Sequence, residues 1–270
     1  MKGLVIELLR IAKELVEPRS YDSLLSDVRD AVSDLGYSEK VLGSIGDDDV
    51  ILFRPKSLGS RKRILIVAGQ HGEEPAGPWA LVKFLSENQE LLKKVAVSFI
   101  PVANIHGFLS AERNGIGGGK TNWFLTEDKK IRKLSKEAQI LYDHFEFLGD
   151  CAKDGLLNLH EDNTSEGFYL YVLGDSGSKV VKDMLSAGKR HFNFKRDGVY
   201  DDNETYELKD GVVENYEDGS FDEAMVLEFD IPIAVTIETP ERNAAIEDRV
   251  KASSAMAAVF VRGVMEGADA

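Results

Sequence analysis

Residues Arg63–Ala68 read RILIVA and run straight into Gly69-Gln-His-Gly-Glu-Glu-Pro-Ala-Gly77. A continuous apolar run bounded by glycine suits a strand buried on both faces, as in a parallel sheet. Pro75 fits the first turn of a helix, and the spacing of Trp79, Leu81, Val82 and Leu85 carries that helix on. A buried strand, a tight turn and a helix form the repeating unit of α/β folds. The turn carries His71 and Glu74 just past the strand's carboxyl end, where sites gather in open α/β sheets.

The rest of the chain repeats this alternation. Val95–Val102, Leu156–His160, Phe168–Leu173 and Ile233–Ile237 read as strands, with shorter signals at Lys40–Leu42 and Val50–Phe53. Helical periodicity covers Met1–Glu17, Tyr21–Leu35, about Lys130 to Leu148, Lys179–His191, Ala224–Phe229 and Glu241–Met265. The acidic stretch Arg196–Gly219 is weakly periodic and reads as a long surface loop. The expected architecture is α/β, with a mixed, mostly parallel central sheet flanked by helices. One domain is expected over 1–270. It comprises an N-terminal helical elaboration with the first strands (1–60), a catalytic core (61–240) and a C-terminal helix (241–270).

Composition narrows the function. The chain has 270 residues and a formal net charge of −14, which argues against a nucleic-acid binder or an anionic membrane surface as partner. Hydrophobic residues at 43% and charged residues at 30% describe a globular rather than a disordered chain. A single cysteine, Cys151, excludes an internal disulfide and a Cys-rich zinc module. Glu7, Arg10, Lys13 and Glu14 interrupt the first apolar stretch, so it does not read as a signal peptide. No apolar run is long enough to span a bilayer, and a cytoplasmic location is expected.

Three strand ends carry ligand-capable residues: His71 with Glu74, His160, and Glu238. His71 and Glu74 can grip one metal ion, and His160 can close a His₂Glu set. Three protein ligands plus one open position is the catalytic zinc arrangement. Glu238, flanked by Thr236, Ile237 and Thr239 at the end of an apolar strand, is placed to be a partly desolvated base.

The ordered series Gly69-Gln-His71-Gly-Glu-Glu74, Asn104-Ile-His-Gly-Phe108, Arg113, Asn122, Leu159-His160-Glu and Thr236-Ile-Glu238 resembles the zinc carboxypeptidase family. That family includes the funnelin-type peptidases and the aspartoacylase and succinylglutamate desuccinylase branch, with a phosphorylase/hydrolase-like fold. The resemblance implies one Zn²⁺ held by His71, Glu74 and His160. It implies that Glu238 activates water and passes a proton to the leaving amine. Arg113 matches the arginine that holds the developing oxyanion, and Asn122 the asparagine that anchors a substrate carboxylate. Tyr216, 22 residues before Glu238, matches a tyrosine that covers the substrate, with Tyr200 and Tyr206 nearby.

Two departures stand out. Ile105 and His106 replace the Pro and Asp of the family's Asn-Pro-Asp-Gly. Trp123 follows Asn122 where carboxypeptidases usually have a carboxylate-clamping arginine, so Lys120 and Arg242 are the candidate replacement cations. No extra β-domain of the aspartoacylase branch is expected after Glu238, an expectation that favours the peptidase-like branch. The expected function is metal-dependent hydrolysis of an amide in a peptide or acyl-amino-acid substrate. The alternatives are deacylation of a small N-acyl amino acid, or a relative that binds metal and peptide without catalysis.

Other motifs are weaker. Asn114–Thr121 imitates a phosphate-binding loop but lacks the first glycine, the preceding buried strand and a following apolar helix. His144 reads as structural within its helix, Cys151 as a buried thiol, and His106 as a residue near the site.

Overall fold

The computed structural model describes residues 20–195, 198–200 and 206–267. The helix expected over Met1–Glu17 lies outside them. The ten strands are β1 (Tyr37–Ile45), β2 (Asp48–Pro55), β3 (Arg63–Ala68), β4 (Ala96–Ile100), β5 (Gly155–Asp162), β6 (Tyr169–Gly174), β7 (Gly198–Tyr200), β8 (Tyr206–Lys209), β9 (Val212–Glu214) and β10 (Ile233–Pro240). They form one mixed sheet in the order β1-β2-β4-β3-β5-β10-β6-β9-β8-β7.

The sheet's centre is parallel. β3 pairs in parallel with β4 and β5, and β10 pairs in parallel with β5. Ile64, Leu65, Ile66 and Val67 are all fully buried, so both faces of β3 are covered, as its unbroken apolar run requires. The 246–266 helix packs against the Ala76–Glu87 and Lys179–Gly188 helices, while the Phe145–Cys151 helix packs on β3. Antiparallel pairs flank this centre: β1 with β2, β2 with β4, β6 with β10, and β8 with both β7 and β9.

Two expectations need correction. The Arg196–Gly219 stretch is not simply a loop, because its described residues include β7, β8 and β9, which extend the sheet. Asp210 (φ 50°) and Gly211 (φ 82°) join β8 to β9, with Lys209 paired to Val212. That is a two-residue Asp-Gly hairpin turn, which needs positive φ at both positions. The helix expected from Lys130 to Leu148 is two short helices, Lys136–Tyr142 and Phe145–Cys151. Ser135 caps the first by accepting from the Ala138 N–H, so helical structure starts late. His144 then breaks the run and bonds through Nε2 to the Leu42 carbonyl (2.8 Å), which gives it a structural place.

Two glycines bring the site loops together. A Cβ on Gly72 would lie 1.9 Å from the Gly107 carbonyl carbon, so the 69–74 turn and the Asn104–Phe108 segment touch backbone to backbone. A Cβ on Gly77 would lie 2.5 Å from the Leu159 carbonyl oxygen, which presses the start of the Ala76–Glu87 helix onto β5. No helix among the described residues is long and apolar enough to cross a membrane.

Candidate metal centre and its cavity

β3 and β5 lie side by side in register, so the turn after β3 and the last residues of β5 meet. Side-chain donor atoms of His71, Glu74 and His160 all lie within 4.8 Å of one another, and all three residues are buried. His71 Nδ1 is 2.7 Å from Glu74 Oε1, His160 Nδ1 is 2.8 Å from Glu74 Oε2, and the two Nδ1 atoms are 3.1 Å apart. Two imidazoles and a carboxylate converging without an intervening side chain fit a divalent transition ion such as zinc.

The electrostatics follow from that packing. Desolvation alone would raise the Glu74 pKa, but the two imidazoles outweigh it and hold the carboxyl well below the usual range. Burial lowers the His71 pKa. Burial acts the same way on His160, but Glu74 outweighs it and holds that imidazole up at about 9. Glu161, next to His160, supports the candidate ligand Glu74 through its backbone N–H (3.2 Å to Oε2). Its own carboxylate accepts from the Ala76 N–H (2.5 Å) and pairs with the buried Arg249 guanidinium.

Glu238 stands opposite His160 across the β10–β5 pair and opposite Tyr169 across the β10–β6 pair. Burial pushes its pKa up to about 8; Glu74 and Asp162 reinforce the rise, and His160 and Arg113 oppose it. Arg113 Nη1 lies 2.8 Å from Glu73 Oε1 and 3.1 Å from Glu74 Oε1. Asn104 secures the Arg113 loop by donating from Nδ2 to the Arg113 carbonyl (3.1 Å).

The opposite wall comes from two segments zipped together. Phe124 and Leu125 donate backbone N–H groups to the Gly219 carbonyl (2.7 and 2.8 Å), and Phe221 donates to Asn122 (2.7 Å). This sets Asn122 and Trp123 beside Tyr216, Asp218 and Asp222. The resulting cavity of about 950 Å³ is also lined by His71, His160, Arg113 and Glu238.

Searches among solved structures match this fold. A candidate metallopeptidase from Shewanella baltica OS155 is 31% identical, with 91% of this chain and 92% of that chain covered and a TM-score of 0.83. A metallo-carboxypeptidase from Pseudomonas aeruginosa, in complex with (2-guanidinoethylmercapto)succinic acid, shares the fold at 17% identity, covering 91% of this chain and 69% of that one with a TM-score of 0.64. The chain belongs to the same metallopeptidase family as the Shewanella baltica protein and shares the metallo-carboxypeptidase fold. A second candidate metallopeptidase, from Shewanella amazonensis SB2B, is 28% identical over 92% of this chain and 94% of that chain, with a TM-score of 0.84. No protein-family model matches the chain, and no curated protein does.

The candidates from the sequence fall into two groups about this cavity. His71, His160, Glu238, Arg113, Lys120, Asn122, Trp123 and Tyr216 line it, and Glu74 touches both histidines. Tyr216 is buried rather than an exposed loop residue; its ring packs against Tyr171 (5.1 Å between centroids) and its hydroxyl is 3.4 Å from Asp222 Oδ2. Arg242 and His106 stay outside. Arg242 lies 3.6 Å from Glu166, and His106 lies 3.6 Å from Glu112 on the surface.

Gln70 and Arg132 also line the cavity and are not among the candidates from the sequence. Trp123 is 37% exposed while Phe124 is fully buried, so the indole faces the cavity side rather than the core. Lys120 Nζ sits 4.3 Å from its ring centroid and the Arg132 guanidinium 4.7 Å. Arg132 carries no sequence signal, because the periodicity around it predicts a helix where the chain forms a loop. Gln70 contacts His160 Nε2 through Oε1 (3.0 Å), and Asn122 Oδ1 lies 3.0 Å from His71 Nε2. Gln70 could have been suspected only from its place beside His71.

Proposed function

We propose that the chain is a zinc-dependent amide hydrolase of the carboxypeptidase type, acting on a peptide or acyl-amino-acid substrate. The observation that carries this reading is the convergence of His71, Glu74 and His160 beside Glu238 in one cavity. Zinc at such a donor set supplies a Lewis acid and lowers the pKa of water toward about 7. The sheet is continuous from β1 to β10, and we take the chain as one catalytic unit.

The remaining steps belong to side chains. Glu238 takes the proton of the attacking water and returns it to the departing amine, a task suited to a carboxylate whose pKa is raised toward neutrality. Arg113 offers fixed positive charge to the carbonyl oxygen as it becomes an oxyanion. Asn122, Trp123 and Tyr216 line the substrate side. Lys120 and Arg132, which also line the cavity, supply the cations for a substrate carboxylate where the clamp arginine is replaced by Trp123. The Pseudomonas aeruginosa protein's succinic acid ligand supports a small carboxylate-bearing substrate. Arg113 and Glu238 favour hydrolysis over binding alone, since a pure binder needs neither an oxyanion donor nor a base.

The test is elemental analysis of the purified chain together with a screen of peptides and N-acyl amino acids. Stoichiometric zinc and chelator-sensitive release of a free amine are expected. A chain that takes up no divalent ion, or a zinc-loaded chain inert toward every amide class, overturns the reading.

A further inference from the structure

Each candidate histidine ligand touches a side-chain amide at its far nitrogen. His160 Nε2 meets Gln70 Oε1 at 3.0 Å, and His71 Nε2 meets Asn122 Oδ1 at 3.0 Å. Both near nitrogens, the Nδ1 atoms, face the Glu74 carboxylate. Asn122, His71, Glu74, His160 and Gln70 thus form one continuous chain of polar contacts. It crosses three segments: the 120–125 loop, the turn after β3, and the end of β5. The bracing is crossed, because Gln70 adjoins His71 in sequence yet holds His160.

We propose that Gln70 and Asn122 are positioning residues: neutral acceptors that fix both histidines as Nε2–H tautomers and leave both Nδ1 atoms to the metal. This inference rests on the metal reading above. An amide oxygen can only accept, so the imidazole nitrogen it meets must carry the proton. The partner of a ligating histidine's other nitrogen sets its tautomer and ring orientation, and a carboxylate there also makes the ring more basic. Here both partners are uncharged, so Glu74 remains the one anionic ligand of the set. Gln70 is 1% exposed and its amide nitrogen has no partner among the described residues, so the contact to His160 is what orients it. A buried amide left half satisfied is costly, and such a group calls for an explanation. Its use as an acceptor for His160 provides one.

The experiment measures zinc affinity by chelator competition at fixed pH, with imidazole ¹⁵N spectra of the zinc-loaded native chain. Gln70→Ala and Asn122→Ala are each expected to weaken zinc binding about 10–100-fold, the usual effect of losing such a partner. Gln70→Glu, which keeps an acceptor, should restore affinity to at least the native level. The spectra should show protonated Nε2 and metal-bound Nδ1 at both histidines, a reading that needs no variant to fold. Native affinity in both alanine variants, or coordination through Nε2, overturns the assignment. Zinc binding with these losses but no amide hydrolysis supports it while overturning the functional reading. A native chain that binds no zinc overturns both.

Discussion

Glu238 on β10 is the register partner of His160 on β5, so the candidate base and one candidate metal ligand are neighbours across a single pair of parallel strands. Side chains at paired positions of adjacent strands project to the same face, and their separation is set by backbone pairing rather than by loop geometry. The turn after β3 then needs only to bring His71 and Glu74 to the same sheet end.

The first prediction concerns Glu238→Gln. Glutamine keeps the size and hydrogen-bonding capacity but cannot take a proton. Zinc content and thermal stability should stay near native, while amide hydrolysis falls by at least about 10²–10⁴-fold, the usual share of general acid–base catalysis. Near-native turnover in this variant would make Glu238 a structural residue.

Much of this centre is legible in the sequence alone. β3 carries an unbroken apolar run, β5 and β10 are largely apolar before their polar ends, and a strand buried on both faces has little choice but the sheet's middle. The edge was harder. The Asp210-Gly211 hairpin signal was present, but the surrounding acidic residues masked the alternation of two very short strands. Of the two cations around Trp123, Lys120 is legible from its place three residues before the indole, and Arg132 is not. Lys120 and Arg132 are 12 residues apart, and no local period brings them to one indole; the long-range zipper between 122–125 and 219–221 builds that wall.

The Glu161–Arg249 pair yields a second prediction. Both residues are buried, and Glu161 also holds the Ala76 N–H and, through its own N–H, Glu74. Arg249→Met strands the carboxylate, and removing one partner of such a pair costs about 3–5 kcal/mol. The double variant Glu161→Gln with Arg249→Met should recover part of that loss. Denaturant unfolding of the single and double variants measures it; equal stability of Arg249→Met and native protein would show the pair to be inert.

Asp222 supplies a pH-dependent test. It is buried, accepting from Asn158 Nδ2 and the Thr236 hydroxyl, and burial pushes its pKa up to about 6. A folded pKa above the unfolded value means that its favourable contribution is complete below about pH 4 and is lost as pH rises through 6. The two-unit rise corresponds to about 3 kcal/mol at most. Asp222→Asn cannot ionise, so its stability relative to native protein should improve as pH rises from 4 to 7. Parallel stability–pH curves for the two proteins would refute this.

The last prediction concerns the carboxylate end of the substrate. A guanidinium makes a bidentate, charge-assisted clamp, whereas the Trp123 indole offers one neutral N–H and a large apolar face. Lys120 and Arg132 both sit against that ring and line the cavity, whereas Arg242 faces Glu166 outside it. A substrate carboxylate meeting these two cations would regain the charge that Trp123 lacks, and contact with the indole would restrict their positions. Hydrogen bonds to charged groups contribute about 1.5–3 kcal/mol, so losing one cation should reduce kcat/KM about 10–100-fold for a substrate with a free carboxylate. The same change should leave the amidated counterpart nearly unaffected, because that substrate has no negative charge to lose. Arg132→Ala, Lys120→Ala and, as the contrasting variant, Arg242→Ala should be compared on matched peptides with free and amidated C-termini. Loss of the free-acid preference in the first two variants, but not in the third, is the expected pattern. A strong free-acid preference that survives both Lys120→Ala and Arg132→Ala would place the carboxylate's partner elsewhere in the cavity, with Arg113 the next cation to examine.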